Sequence, residues 1–412
     1  MNTYKKNKLY IENAALEKIV QKFGSPLYIY SQTQIERNYS AYKNALSKYN
    51  SLVCFSVKTN SNLSVIKTLK NLGSGADCVS GGEIFRALKV GFDPKKIVYA
   101  GVGKTAEEIT YALKNNILMF NVESLEELSA INSIAGKLKK KAPVALRVNP
   151  NVDVDTHKYI TTGKKGTKFG IEIPSALEAF KLAASMKNII PAGVHCHIGS
   201  QILSPKPFGM AAKKIRALVD SAQKAGIKLT HINFGGGWGI KYKSEDAASS
   251  VDALIQAIMA EFKGHYLKTF IFEPGRSIVG EAGYLATKVI YRKMSFGKSF
   301  LIIDAAMNDL LRPSLYQAYH EMLPNTKTSA KKIKTDVVGP VCESGDFLAR
   351  DRMLPVLKQG EILLVKGAGA YGSVMSSEYN SRPKIAEVMV SGSTTKLIRR
   401  RNTYKDLILN EI

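Results

Sequence analysis

No apolar run in this chain reaches the roughly 18–20 residues a membrane-spanning helix needs, so an integral membrane protein is not expected. The opening segment, Met1-Asn2-Thr3-Tyr4-Lys5-Lys6, lacks the apolar core of a secretory signal. Cysteine is scarce: four in 412 residues, at 54, 78, 196 and 342, with no C-x-x-C spacing. That pattern offers neither a disulfide framework nor a zinc ribbon, and it fits reduced thiols in a cytoplasm. Acidic residues are also few, 34 against 59 Lys and Arg, a net charge of +25. A basic balance alone gives only nonspecific attraction to nucleic acid. The densest clusters, Lys137 to Lys141 and Lys327 to Lys334, fall at a helix end and in a loop, and no nucleic-acid motif accompanies them. No specific nucleic-acid partner is expected. Low-complexity tracts and internal repeats are missing as well, while 45% of residues are hydrophobic, so the chain is expected to fold throughout.

What is present is a series of short, apolar, β-prone runs. Eight lie at 52–58, 75–80, 96–101, 117–122, 143–149, 190–199, 231–237 and 269–276. Their near-continuous apolar character suits strands buried on both faces of a parallel sheet. The gaps carry helical patterns with start signals. Thr105-x-x-Glu108, Ser124-x-x-Glu127 and Ser175-x-x-Glu178 read as capping boxes. Eight such alternations match the size of a TIM-type (β/α)8 barrel.

Outside this series the texture changes. Runs at 299–304, 334–338, 361–365 and 386–390 are punctuated by Gly, Pro and Asn, as in an antiparallel β domain. Tyr28-Ile29-Tyr30 is expected to join it from the front of the chain. The reading is therefore α/β plus all-β: a barrel over 35–280, with 1–34 and 281–412 forming an antiparallel β-sandwich or β-barrel domain.

Reactive residues gather at the strand ends. Lys58 closes the first run, and a lysine there is costly unless it is used; a partly desolvated amine can form an imine with a cofactor aldehyde. Glu273 closes the eighth and could keep a pyridine nitrogen protonated, making the ring an electron sink; an ion pair with Arg276 is the bland alternative. Asp77 and Ser80 end the second run, where Asp77 could support the amine. Arg147 needs an acidic partner, and Asp77 is the candidate. His195 and His197 flank Cys196. An H-x-H pair can ligate metal, but no shell is completed around it, so no metal site is expected. His197 instead suits stacking on a planar ring, with His195 a buried structural residue. Gly199-Ser200 and Gly235-Gly236-Gly237 sit where barrels of this kind bind phosphate. Gly101-Val102-Gly103-Lys104-Thr105 imitates a P-loop but lacks its first glycine, Val98 standing in that position.

Together these segments resemble the barrel-type (fold type III) pyridoxal-phosphate decarboxylases, and among them the diaminopimelate decarboxylases. The likeness extends over nearly the whole chain. It includes Val57-Lys58-Thr59-Asn60, Gly75-Ala76-Asp77 through Gly82-Glu83, His195 to Ser200, and Glu273-Pro274-Gly275-Arg276-Ser277. In the second domain it includes Asp309 to Tyr316, Cys342-Glu343-Ser344-Gly345-Asp346 and Gly369-Ala370-Tyr371-Gly372. Phe55, Thr59, Ala306 and Trp238 depart from the family pattern, which has Tyr, Ala, Gly and Leu there.

The resemblance implies pyridoxal 5'-phosphate as cofactor and decarboxylation of meso-2,6-diaminopimelate to L-lysine and CO2, the last step of lysine biosynthesis. It assigns the cofactor to Lys58, Asp77, His197, Ser200, Gly236, Gly237, Glu273, Gly275, Arg276 and Tyr371. Substrate falls to Arg276, Arg312, Tyr316, Glu343 and Tyr371, and catalysis to Lys58 and Cys342. A homodimer with shared active sites is implied too. Open alternatives are a decarboxylase of another basic amino acid or carboxynorspermidine, an inactive cofactor-binding relative, and a metal-dependent barrel hydrolase.

Overall fold

The computed structural model describes residues 2–153, 168–264 and 268–412. The chain divides into two compact units, Asn38–Ile240 with Ala247–Ser277, and Met1–Arg37 with Lys241–Asp246 and Ile278–Ile412.

In the first of these, eight parallel strands follow one another in chain order: Ser51–Ser56, Gly75–Cys78, Ile97–Tyr99, Met119–Val122, Ala142–Asn149, Ile189–His195, His231–Asn233 and Thr269–Phe272. The last pairs with the first, Phe270 opposite Ser51, so the sheet closes and keeps no free edge. Cys54, Val98, Met119, Ala145 and Ile271 pack together in a buried cluster of the barrel. A ninth, two-residue strand, Ile171–Glu172, adds to Ala142–Asn149. All but the fifth strand are shorter than their apolar runs because ladder pairing ends where the mouth begins. Lys58 consequently sits in a single 3-10 turn, Val57–Thr59, just past its strand.

The start signals hold at two of three helices. Thr105 and Glu108 form a complete capping box. Ser124 caps its helix, but the Glu127 carboxylate turns to the Glu123 amide and to Lys104. Ser175 and Glu178 form no box. Their helix, Ile173–Ser185, begins upstream with Pro174 in its first turn, where the missing N–H costs nothing.

The second unit contains a mixed rather than purely antiparallel sheet. Leu27–Ser31 does join from the front of the chain, between Gly283–Ser295 and Ala386–Ser391. It pairs antiparallel with the former and parallel with the latter. Lys298–Ile303 and Lys332–Val338 are also parallel. In both cases a long connection separates the partners, so no hairpin imposes antiparallel pairing. The longest strand, Gly283–Ser295, was not anticipated: its first half is buried on both faces and its second half exposed, so it shows no clean period of two. Phe347–Pro355 was also missed, because Arg350-Asp351-Arg352 gives this edge strand a charged surface. The core includes Leu9, Ile11, Leu16, Ile29, Tyr284, Leu364 and Val388.

Ile29 is fully buried in the middle of this sheet. Ile29→Ala is expected to lower the unfolding free energy by about 2–5 kcal/mol, read as a fall in the denaturant midpoint without a change in slope.

Candidate active site

The first and eighth barrel strands are neighbours, and each releases its reactive residue just past its C-terminal end. Lys58 Nζ lies 2.7 Å from Asp77 Oδ2. The Asp77 carboxylate is wholly buried and also accepts the Ser56 hydroxyl at 2.7 Å. Burial and the nearby Glu273 charge push the Asp77 carboxyl up, and Lys58 opposes them. Its second oxygen, Oδ1, is buried without a hydrogen-bond partner among the described residues.

Glu273 is the second buried carboxylate. Oε1 accepts from Asn233 Nδ2 at 2.6 Å and from Asn121 Nδ2 at 3.1 Å; Oε2 lies 3.3 Å from His195 Nε2. Burial works to raise this carboxyl, but His195, the Lys58 charge and the Asn233 amide outweigh it and hold it at about 2. Glu273 is thus ionised at neutral pH.

His197 accepts the Gly236 N–H on Nδ1 at 3.2 Å. Burial and the positive charges of Arg147 and Lys58 drive its pKa well below the usual imidazole value. The ring is therefore neutral, with its hydrogen on Nε2. Beside it the chain turns tightly. A Cβ on Gly237, where φ is +110°, would collide with the Gly199 carbonyl oxygen. Gly275 is equally constrained, against Thr59 and Ser56. The Gly235 amide is committed to Asn233 Oδ1. Ser200 accepts from Arg276 Nη2 at 3.1 Å, which leaves its own proton to give.

Arg147 does not use Asp77. It pairs with Glu123 at 2.6 Å, because Asp77 is already engaged by Lys58 and Ser56 on its own side of the barrel. Lys104 donates to Gly101 O, Asn121 O and Glu127, a structural clamp in place of a P-loop lysine. His195, expected to be structural, contacts Glu273 directly. Asn121 and Asn233 were overlooked. The signal for both was an amide side chain at the end of an otherwise apolar strand.

The barrel unit thus brings together Lys58, Asp77, His197, Ser200, Gly236, Gly237, Glu273, Gly275 and Arg276. The remaining expected residues belong to the other unit. Arg312 and Tyr316 lie on the short helix Arg312–Tyr316, with the buried Arg312 guanidinium 4.7 Å from the Tyr242 ring centre. Cys342 is the one exposed cysteine; its N–H donates to Asn380 Oδ1 at 2.8 Å. Its loop is held by Asp346, which accepts the Met307 and Val341 amides, and by the Ser314 hydroxyl on Gly345 O. A hydrogen bond to Glu343 raises the Tyr379 phenol. Tyr371 is fixed in the left-handed region, at φ +55°. Among the described residues, no group of three or more His, Cys, Asp or Glu could hold a metal ion, and no helix is long and apolar enough to cross a membrane.

The donor set of the barrel unit fits a phosphorylated pyridine aldehyde. It offers a primary amine for the aldehyde, an ionised carboxylate for a ring nitrogen and a neutral flat imidazole for the ring face. A glycine turn, a hydroxyl proton and a guanidinium are groups that suit a phosphate.

Comparison with known proteins agrees. Residues 32–280 match the pyridoxal-dependent decarboxylase, pyridoxal binding domain. The diaminopimelate decarboxylase of Aquifex aeolicus is 47% identical over 408 residues, covering 98% of this chain and 96% of that protein. The Pseudomonas aeruginosa enzyme of the same name is 47% identical over 99% and 98%. Among solved structures, the Helicobacter pylori diaminopimelate decarboxylase complexed with L-lysine aligns at TM-score 0.92 and 44% identity, covering 96% of this chain and 98% of that one. Such likeness over essentially the full length means that the chain belongs to the diaminopimelate decarboxylase family of pyridoxal-dependent decarboxylases.

Proposed function

We propose that this protein decarboxylates meso-2,6-diaminopimelate to L-lysine and CO2, the last step of lysine biosynthesis, as a cytoplasmic, pyridoxal-phosphate-dependent homodimer. The observation that carries the reading is the placement of the Lys58 amine and the ionised Glu273 carboxylate just past the ends of adjacent barrel strands. The lysine complex of the Helicobacter pylori relative supports the same substrate class.

When bound, pyridoxal phosphate supplies an electron sink for the pair released as CO2 leaves. Each residue then has a definable task. Lys58 holds the aldehyde end, and Asp77 orients the amine and shares its proton. Glu273 keeps a proton on the ring nitrogen, since an anion held at about 2 cannot take that proton for itself at neutral pH. His197 covers a ring face and excludes water. Ser200, Gly236, Gly237, Gly275 and Arg276 surround the phosphate, and Tyr371 serves cofactor and substrate. A substrate with a second zwitterionic end needs both signs of charge. Arg312 with Tyr316 takes the distal carboxylate, Glu343 the distal ammonium, and Arg276 assists. Cys342 Sγ returns the proton to the carbon that lost CO2. Ornithine has no distal carboxylate and does not need Arg312, which sets the family's ornithine branch second.

Three outcomes test this. Incubation with meso-diaminopimelate and cofactor should release lysine, and borohydride should fix the cofactor to the peptide carrying Lys58. Equal turnover of L-ornithine, or labelling of another lysine, would sink the assignment.

Glu273→Gln keeps shape and removes charge. Turnover should fall about tenfold for each 1.4 kcal/mol of lost pairing. The carboxyl is held below its unfolded value, so its stabilisation is present above about pH 4.5 and disappears as pH falls through about 2. The urea midpoint of the variant should therefore drop less between pH 6 and pH 3 than that of the unmutated protein.

The Cys342–Asp346 loop, exposed at Cys342, Glu343 and Ser344, is assigned to the barrel mouth of a second copy, so that each dimer has two shared sites. Mixing inactive Lys58→Ala and Cys342→Ala proteins under subunit exchange should restore about a quarter of normal activity. Half the dimers are then mixed, with one whole site in each. No recovery despite proven exchange would place Cys342 in its own chain's site.

A further inference from the structure

We infer that His320 is the positioning residue that fixes the Arg312 guanidinium as receptor for the carboxylate at the far end of the substrate; this rests on the role given to Arg312 above. His320 is completely buried, and its two ring nitrogens face groups of opposite kind. Nδ1 lies 2.8 Å from the Lys366 carbonyl oxygen. A carbonyl only accepts, so Nδ1 carries the hydrogen. Nε2 lies 3.0 Å from Arg312 Nη1. A guanidinium only donates, so Nε2 presents its lone pair. The ring is thereby confined to one neutral tautomer, and it accepts from Arg312 at a fixed point.

The surroundings leave that point little freedom. Lys366 is tied to Glu321 twice, by its amide to the Glu321 carbonyl at 2.8 Å and by its ammonium to the carboxylate at 2.6 Å. Tyr242 packs edge-on against the His320 ring, at 5.4 Å between centroids, and offers its own face to Arg312. Gly367 passes so close, at φ +68°, that a Cβ there would sit 3.1 Å from the Tyr242 ring.

The choice of a neutral acceptor has a chemical consequence. Arg147 is paired with Glu123, and an anion of that kind cancels charge and competes with any incoming carboxylate. A neutral imidazole orients a guanidinium without cancelling its charge. Tyr242 acts likewise, its ring face stabilising the cation without neutralising it. The short segment Lys241–Asp246, drawn from within the barrel portion of the sequence into this unit, therefore supplies the second wall of the Arg312 site.

The test exploits the product. L-lysine retains the amino-acid end that is distal in diaminopimelate, so its equilibrium binding to cofactor-loaded protein reads the Arg312 grip without turnover. 1,5-Diaminopentane lacks that carboxylate and serves as control. His320→Leu should weaken L-lysine binding and raise KM about tenfold, the worth of a lost hydrogen bond to a charged group. kcat should change little, and diaminopentane binding should be unaltered. His320→Gln, whose side-chain oxygen can accept from Arg312, should retain most of the affinity. If His320→Leu does not fold, His320→Asn, polar but too short to reach Arg312, is read in its place.

The deciding measurement is the double variant. His320→Leu combined with Arg312→Ala should bind lysine no more weakly than Arg312→Ala alone. Additive losses, or equal weakening of diaminopentane, would show that His320 supports the fold rather than Arg312. Failure of the unmutated protein to decarboxylate diaminopimelate would refute the proposed function, while the lysine-binding comparison would still decide the role of His320. An unmutated protein that binds L-lysine no better than diaminopentane overturns the role of Arg312 and with it that of His320, and leaves the function to the decarboxylation assay.

Discussion

A closed parallel barrel buries the carboxylate of Glu273, and most of the surrounding arrangement answers that constraint. An isolated anion in such a place would neutralise itself by taking up a proton. Here three side chains from three other strands or strand ends converge on it: Asn121, His195 and Asn233. Their convergence depends on register. Ile232 lies opposite both Val194 and Phe270, and Asn233 opposite both His195 and Ile271, so His195 and Asn233 arrive side by side at the mouth. A slip of one residue in any of these strands would turn a donor away from the mouth. The barrel is thus more than a platform for the carboxylate, since its closure is what keeps the group charged.

The same rule orders the other charges of the barrel. Lys58 with Asp77, Arg147 with Glu123 and Lys104 with Glu127 each bring opposite signs to within 2.6–2.7 Å. The Lys58 side chain differs from the other two in remaining one-third exposed, whereas Arg147 and Lys104 are sealed in and serve structure.

Much of this was legible from residue order. Lys58 and Glu273 announce themselves because a charged residue closing an apolar run is improbable without a use. The closed barrel follows from eight runs with helical gaps, and the front strand Leu27–Ser31 from its aromatic, β-branched texture. Pairing partners were less accessible. On paper Asp77 was the candidate mate for Arg147, whereas Glu123 takes that place, because the angular position of each strand around the barrel decides the pairing. Asn121 and Asn233 carry no charge and stood inside runs read as apolar, so their convergence on Glu273 became visible only in three dimensions. The mixed sheet of the second unit failed to show for a related reason. Strand direction there is set by long connections, and local periodicity contains no record of them.

The proposed chemistry divides along much the same line as the chain, with Arg276 and Tyr371 serving on both sides of it. Residues suited to the cofactor are carried by barrel strands and their first turns, where register fixes them. Residues suited to the substrate's second end, Arg312, Tyr316 and Glu343, sit on a five-residue helix and a loop of the other unit. A short helix and a loop hold position only through tertiary contacts, which explains the density of polar ties around them: Ser314 on Gly345, Asp346 on Met307 and Val341, and Asn380 on Cys342. The electron sink would then be held by the barrel, while substrate choice and the Cys342 proton belong to the β unit. Changes in specificity within such a fold are therefore most readily made by altering the second set of ties while the carboxylate and its three donors stay as they are.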